Sequence, residues 1–147
     1  MKNQSLSHAL SRTLADTVTL YTKTQGFHWN VTGPFFQSLH SLFEAQYAEL
    51  GEAADEIAER IRALGQLAPG SFSEFSKLAT IQEAKEPLQW RPMLQALLKD
   101  HETLAQSAHQ TWTAASTAKD EASADLMTRR IQAHEKAAWM LRSTLQD

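Results

Sequence analysis

The sequence predicts an all-α chain: four long helices packed as a bundle, with one short extra helix in the connection between the second and third. Three observations carry that expectation. Apolar residues recur at steps of three and four through four long segments, the spacing of one face of an α-helix. Turn signals are few and sharp, in a chain with only 5 Gly and 4 Pro among 147 residues. The segment 66–90 is too long for a hairpin turn and implies a crossover between helices two and three.

The first helix carries Leu6, Leu10, Leu14, Val18 and Tyr21 on one face and should end near Val31, where Thr32-Gly33-Pro34 forms a turn. The second has the most regular seam: Phe36, Leu39, Phe43, Tyr47, Leu50, Ala54, Ile57, Ile61 and Leu64, with Gly65 as its stop. After a loop over Gln66 to Gly70, Ser71-Phe72-Ser73-Glu74 reads as a capping box opening a short helix to about Leu78. Residues 80–90 are expected to be extended. The third helix starts near Trp90-Arg91-Pro92, because Pro is tolerated in a first turn. Its inward face is Met93, Leu97, Leu104, Ala108 and Trp112, and it ends near Ala118. Asp120 or Ser123 caps the fourth, which runs to about Leu145 with Leu126, Ile131, Ala138 and Leu141 inward. A bundle with this crossover is ferritin-like in its connectivity.

One domain over 1–147 is expected, since this length can bury a good core. Apolar residues make up 42% and no apolar run approaches the roughly 18 residues of a membrane span. Met1-Lys2-Asn3-Gln4-Ser5 lacks the apolar stretch of a signal peptide, so the cytoplasm is the expected location, with nucleoid association open. Zero Cys excludes disulfide and thiol chemistry. A net charge of -3 gives no general attraction to nucleic acid or anionic lipid.

His28, His40, Glu44, Asp55 and Glu59 form the informative constellation. His40 and Glu44 are one helical turn apart on one face, and so are Asp55 and Glu59. Imidazole with several carboxylates suits iron and similar divalent metals. One helix cannot gather these pairs, because Glu44 and Asp55 are separated by roughly 16 Å of helix rise. Eleven residues nevertheless return to nearly the same face, roughly 120° around from the apolar seam. His28 before the Gly-Pro turn and His40 after it fall at the same height of an antiparallel pair. Two half-sites on one stripe point to chains crossing at a two-fold interface. Taken by spacing alone, the Asp55–Glu59 pair fits a solvated helix face equally well.

The local sequence bears on that choice. Phe27-His28-Trp29-Asn30-Val31-Thr32-Gly33, Phe36, Leu39-His40, Phe43-Glu44 and Asp55-Glu56-Ile57-Ala58-Glu59-Arg60-Ile61-Arg62-Ala63-Leu64-Gly65 resemble the Dps family, the miniferritins. Asp100-His101-Glu102 and His134-Glu135-Lys136-Ala137-Ala138-Trp139-Met140-Leu141-Arg142 extend the resemblance along the whole chain. It implies a hollow dodecamer storing iron mineral. It further implies a di-iron ferroxidase site with His28, His40 and Glu44 from one chain and Asp55 and Glu59 from its mate. Fe²⁺ and hydrogen peroxide, or O₂, are the implied substrates. Many members have Asp where this chain has Glu44, which bears on the fine coordination. The Glu-x-x-His of an intra-subunit site is missing, since none of the 11 Glu has His three residues on.

Trp29 follows a ligand directly and reads either as interface packing or as a ring that is oxidised in place of more vulnerable groups. Asp120, Glu121 and Asp125 open the fourth helix, where acids suit the helix dipole. By resemblance they line an iron-entry pore that focuses cations. His8, His101, His109 and His134 are scattered singly and read as satisfied or surface histidines. The rival function is DNA shielding, which needs a basic surface. Arg129-Arg130 is the densest basic pair, and it is equally placed for burial at a subunit contact. DNA binding is therefore expected to be weak or absent at neutral pH, with six His able to add charge as pH falls through roughly 6.5.

Overall fold

The computed structural model describes residues 2–85 and 89–147, with residues 86–88 of the crossover outside that range. Five helices make up the regular structure of the described residues: α1 (Lys2–Asn30), α2 (Phe36–Ala63), α3 (Phe72–Leu78), α4 (Trp90–Ala118) and α5 (Glu121–Leu145). The four-helix bundle and the short crossover helix are as the sequence predicts. No helix among the described residues is long and apolar enough to cross a membrane.

Helix ends follow local chemistry. Gly33 makes the α1–α2 turn at φ +114, a left-handed value open to glycine. Gly65 takes φ +83 just past α2. There its N–H donates to Arg62 O at 2.9 Å while Gln66 N–H reaches Ile61 O at 3.2 Å, the two bonds of a Schellman ending. Ser71 accepts from Glu74 N–H at 3.3 Å and donates to Glu74 Oε2 at 2.8 Å, closing the start of α3. Asp120, not Ser123, is the N-cap of α5.

Cross-helix pairs fix the directions. Tyr21 meets Tyr47 and His28 meets His40, so α1 and α2 are antiparallel. Thr13 bonds Thr111 at 3.0 Å and Lys23 pairs with Asp100 at 2.8 Å, so α1 and α4 are antiparallel as well. Hence α2 and α4 run the same way, and the crossover must travel the length of the bundle. The buried Asp16 carboxylate holds it to α1, accepting from Thr80 N at 2.6 Å, Thr80 Oγ1 at 2.7 Å and Ile81 N at 3.1 Å.

The core lies between the four long helices, around Leu20, Phe43, Leu94, Leu97 and Leu141 and around Leu10, Leu14, Ile57, Ile61 and Met127. Of the expected core positions, Trp112 and Phe36 are exposed, while Val18, Tyr21, Tyr47, Ala54, Leu64 and Ile131 are half-buried. Trp112 is 40% exposed, because Thr111 takes the inward place to bond Thr13 across the bundle. Phe36 opens α2 at the rim and stacks on His40.

Candidate metal centre

The turn through Gly33 brings the last turn of α1 against the first turns of α2, and two histidines meet there. Their rings stack with centroids 3.7 Å apart and planes 13° from parallel. His28 Nδ1 donates to the His40 carbonyl at 2.7 Å, and His40 Nδ1 donates to the His28 carbonyl at 2.7 Å. A carbonyl only accepts, so both Nδ1 atoms carry a proton, and in the neutral ring the remaining lone pair lies on Nε2. Metal-ligating histidines are held in this way, with the second nitrogen tied to an acceptor that fixes tautomer and ring orientation. Phe36 stacks on His40 at 5.1 Å and Tyr47 lies edge-on to His28 at 5.2 Å, walling the pair on two sides.

The carboxylates stand apart from this pair. Glu44 is one turn beyond His40 and exposed, and Asp55 and Glu59 are exposed further along α2. No three His, Cys, Asp or Glu come together as a metal-holding group among the described residues. Within one chain the structure thus brings together His28 and His40 and does not bring Asp55 and Glu59 to them. The available donors, two imidazole nitrogens and exposed carboxylates, fit Fe²⁺. Trp29, beside His28, is 66% exposed.

The three acids at the start of α5 have different settings. Asp120 accepts from Ser123 N at 3.1 Å and Ser123 Oγ at 2.6 Å. Both its oxygens also accept from Arg60 Nη2 at 2.9 Å. Burial pushes its carboxyl up, but the Ser123 and Arg60 hydrogen bonds outweigh that and hold it below the usual range. Asp125 pairs with Arg129 at 3.3 Å. Glu121 is exposed and makes no ion pair among the described residues.

A second histidine pair escaped the sequence reading. His101 of α4 and His134 of α5 are buried, with their Nδ1 atoms 3.0 Å apart. Arg130 Nη2 lies 3.4 Å from His134 Nε2, and an arginine only donates. His134 therefore carries its proton on Nδ1 and gives it towards His101 Nδ1. That leaves His101 protonated on Nε2, with no lone pair for a metal. Burial and then the Arg130 charge push the His101 imidazole down to about 3. Burial, Arg130 and His101 push His134 well below its ordinary value. The available signal was that both residues lie at similar distances from the Lys119 turn, the same matched-height logic that finds His28 and His40.

Arg130 is buried and pairs with Glu49, and Arg129 pairs with Glu56 at 2.8 Å and with Asp125. The Arg129-Arg130 pair is thus matched by carboxylates within its own chain.

Residues 7–147 match the model of the Ferritin-like domain. The DNA protection during starvation protein 2 of Bacillus anthracis is 36% identical over 143 residues, covering 97% of this chain and 98% of that protein. An uncharacterized low temperature-induced protein of a Nostoc species is 38% identical over 147 residues, which cover 99% of this chain and 82% of that one. Among solved structures, Dps from Thermosynechococcus elongatus superposes with a TM-score of 0.96 at 32% identity, covering 98% of this chain and 92% of that one. The Vibrio cholerae Dps structure, described as a member of a broad superfamily of ferritin-like diiron-carboxylate proteins, gives 0.94 at 34% identity over 99% and 91% of the two chains. With that match along its whole length, the chain belongs to the Dps family of ferritin-like proteins.

Proposed function

We propose that this chain is the subunit of an iron-storing miniferritin that oxidises Fe²⁺ with hydrogen peroxide at a site shared between two subunits. His28, His40 and Glu44 of one chain and Asp55 and Glu59 of its two-fold mate are the ligands. The observation that supports this reading is the reciprocal pinning of His28 and His40, which keeps Nε2 of each neutral ring free to ligate. The relatives' descriptions, DNA protection during starvation and diiron-carboxylate, agree with iron storage and protection in general.

In this reading the histidines fix the position of the substrate iron, and the carboxylates favour the ferric product because they are hard oxygen donors. Two Fe²⁺ held together supply both electrons that peroxide needs, with two protons, to become two waters. Single-electron release of hydroxyl radical is thereby avoided. The ferric product passes into the hollow of an oligomer, a dodecamer by resemblance. Glu121, with Asp120 and Asp125, forms the entry path, and Trp29 covers the site from the outside.

Anaerobic Fe²⁺ loading followed by peroxide tests the reading. Ferric absorbance rising at about two Fe²⁺ per peroxide, with little spin-trapped hydroxyl radical, is expected. Ferric formation with a full radical yield would show oxidation outside any paired site. DNA shielding is the second reading, favoured by the relatives' names and opposed by the carboxylate partners of Arg129 and Arg130.

A further inference from the structure

Three of the long helices carry their apolar seams along the bundle, and all three turn polar at one height. On α2, Gln46 takes the inward place between Phe43 and Leu50. On α4, His101 stands between Leu97 and Leu104, and on α5, Arg130 and His134 stand between Met127 and Ala138. Cross-helix pairs set these places level. Tyr21 meets Tyr47 and Lys23 meets Asp100, which puts Gln46 at the height of His101. Arg60 with Asp120 and Arg130 with Glu49 show α2 and α5 to be antiparallel. Gln46, one turn back from Glu49, is therefore level with His134, one turn on from Arg130. Gln46 is 8% exposed, His101 2% and Arg130 3%. Both ends of the Gln46 amide, His101 Nε2 and Arg130 Nε have no hydrogen-bond partner among the described residues. Buried polar groups are seldom left so, because the hydrogen bonds they gave up to solvent are then not replaced. There is room at this height: α5 packs closely along α4 but meets α2 through long side chains, the Arg60, Arg129 and Arg130 bridges.

We propose that this layer is a built hydration site, in which an enclosed water accepts from His101 Nε2–H and donates to Gln46 Oε1. The chemistry of the layer selects the ligand. Its charges are already matched, Arg130 by Glu49 and Lys23 by Asp100, so a buried anion would bring an uncompensated charge. His101 Nε2 carries its proton, because its Nδ1 accepts from His134, so a metal ion finds no lone pair there. A neutral molecule that both accepts and donates satisfies the unpartnered atoms, and water does so in the smallest volume. The remaining hydrogens of the Gln46 amide and Arg130 Nε–H are further donors to the same enclosed solvent. The bridge joins α2 to α4, two helices that make no close approach of their own among the described residues.

The test is a crystal structure of the assembled wild-type protein, at a resolution that shows ordered water and with anomalous data recorded. Density about 2.7–3.2 Å from both His101 Nε2 and the Gln46 amide, with no anomalous signal, is expected. An anomalous peak at that place would make the ligand an ion and overturn the assignment. A direct bond between Gln46 and His101, with no density between them, would overturn it as well. Gln46→Leu fills the inward place with an apolar side chain and is expected to lose the density while the His101–His134 contact stays. Density that persists unchanged in Gln46→Leu would remove Gln46 from the site and overturn the bridge. The wild-type data decide the question by themselves if Gln46→Leu does not fold.

Discussion

His28 and His40 hold each other in place: the Nδ1 of each donates to the backbone carbonyl of the other at 2.7 Å. Each ring is thus both a candidate ligand and the neighbour whose backbone orients the other. Truncating one leaves the other without its stacking partner. His28→Ala and His40→Ala are each expected to weaken Fe²⁺ binding roughly 10-fold or more, the usual cost of disturbing a ligand or its outer partner. The double variant is expected to lose much less than the sum, because contacting residues couple. Anaerobic equilibrium binding of Fe²⁺ across the four proteins measures this. Strict additivity would mean that the rings act independently.

The acids at the start of α5 are expected to separate by role. Asp120→Ala removes an N-cap and the carboxylate partner of Arg60, and should cost about 1–2 kcal/mol in thermal unfolding. Glu121→Gln touches neither contact and should leave stability unchanged. Glu121 carries no ion pair among the described residues, so its loss should slow iron uptake most at low ionic strength, where charge focusing is least screened. Equal uptake by wild type and Glu121→Gln at low salt would remove Glu121 from the entry path.

Acid should loosen the bundle through His101 and His134. Both are held neutral in the folded chain, with His101 lowered to about 3, while the unfolded chain takes up a proton at each near 6.5. Between those values the unfolded state binds more protons, so stability falls as pH falls. The slope is about 1.4 kcal/mol per pH unit for each histidine involved. At fixed protein concentration, urea midpoints from pH 7 to pH 4 should drop less steeply in His101→Leu/His134→Gln than in wild type. Parallel curves would mean that other groups dominate.

DNA binding is expected to be negligible at pH 7.5 and physiological salt. The chain carries a net charge of -3, and its densest basic pair is already matched by Glu49, Glu56 and Asp125. The gain on lowering the pH to 6 should also be smaller than six histidines imply, because burial and Arg130 keep His101 and His134 neutral. Gel-shift titration of plasmid at both pH values checks this. Tight, salt-sensitive retardation at pH 7.5 would put the nucleoid role first.

The helices were legible because their apolar steps and their stops are local signals. The Leu39–Ile61 seam, the Ser71–Glu74 box and Gly65 all appear in the structure in those roles. His28 and His40 were legible because a short turn makes sequence distance a guide to height. His101 and His134 have the same relation, yet isolated histidines carry no mark of whether they meet. Trp112 misled because Thr111, one position away, offered a hydrogen bond across the bundle that no periodicity count contains. Spacing alone does not decide between surface and burial for Arg130, because its partner Glu49 lies on a helix distant in sequence.

Whether the site is shared between chains is the central question, and subunit mixing asks it most directly. A His28→Ala/His40→Ala variant and an Asp55→Ala/Glu59→Ala variant should each be nearly inactive in peroxide-driven Fe²⁺ oxidation. A two-fold pair containing one of each has one site stripped of all four residues and one site with all of them intact. Co-assembled subunits, with mixing proven by mass labelling, are therefore expected to recover a substantial part of the wild-type rate. A mixed shell as inactive as its parents would contradict the shared site and return the ligands to a single chain.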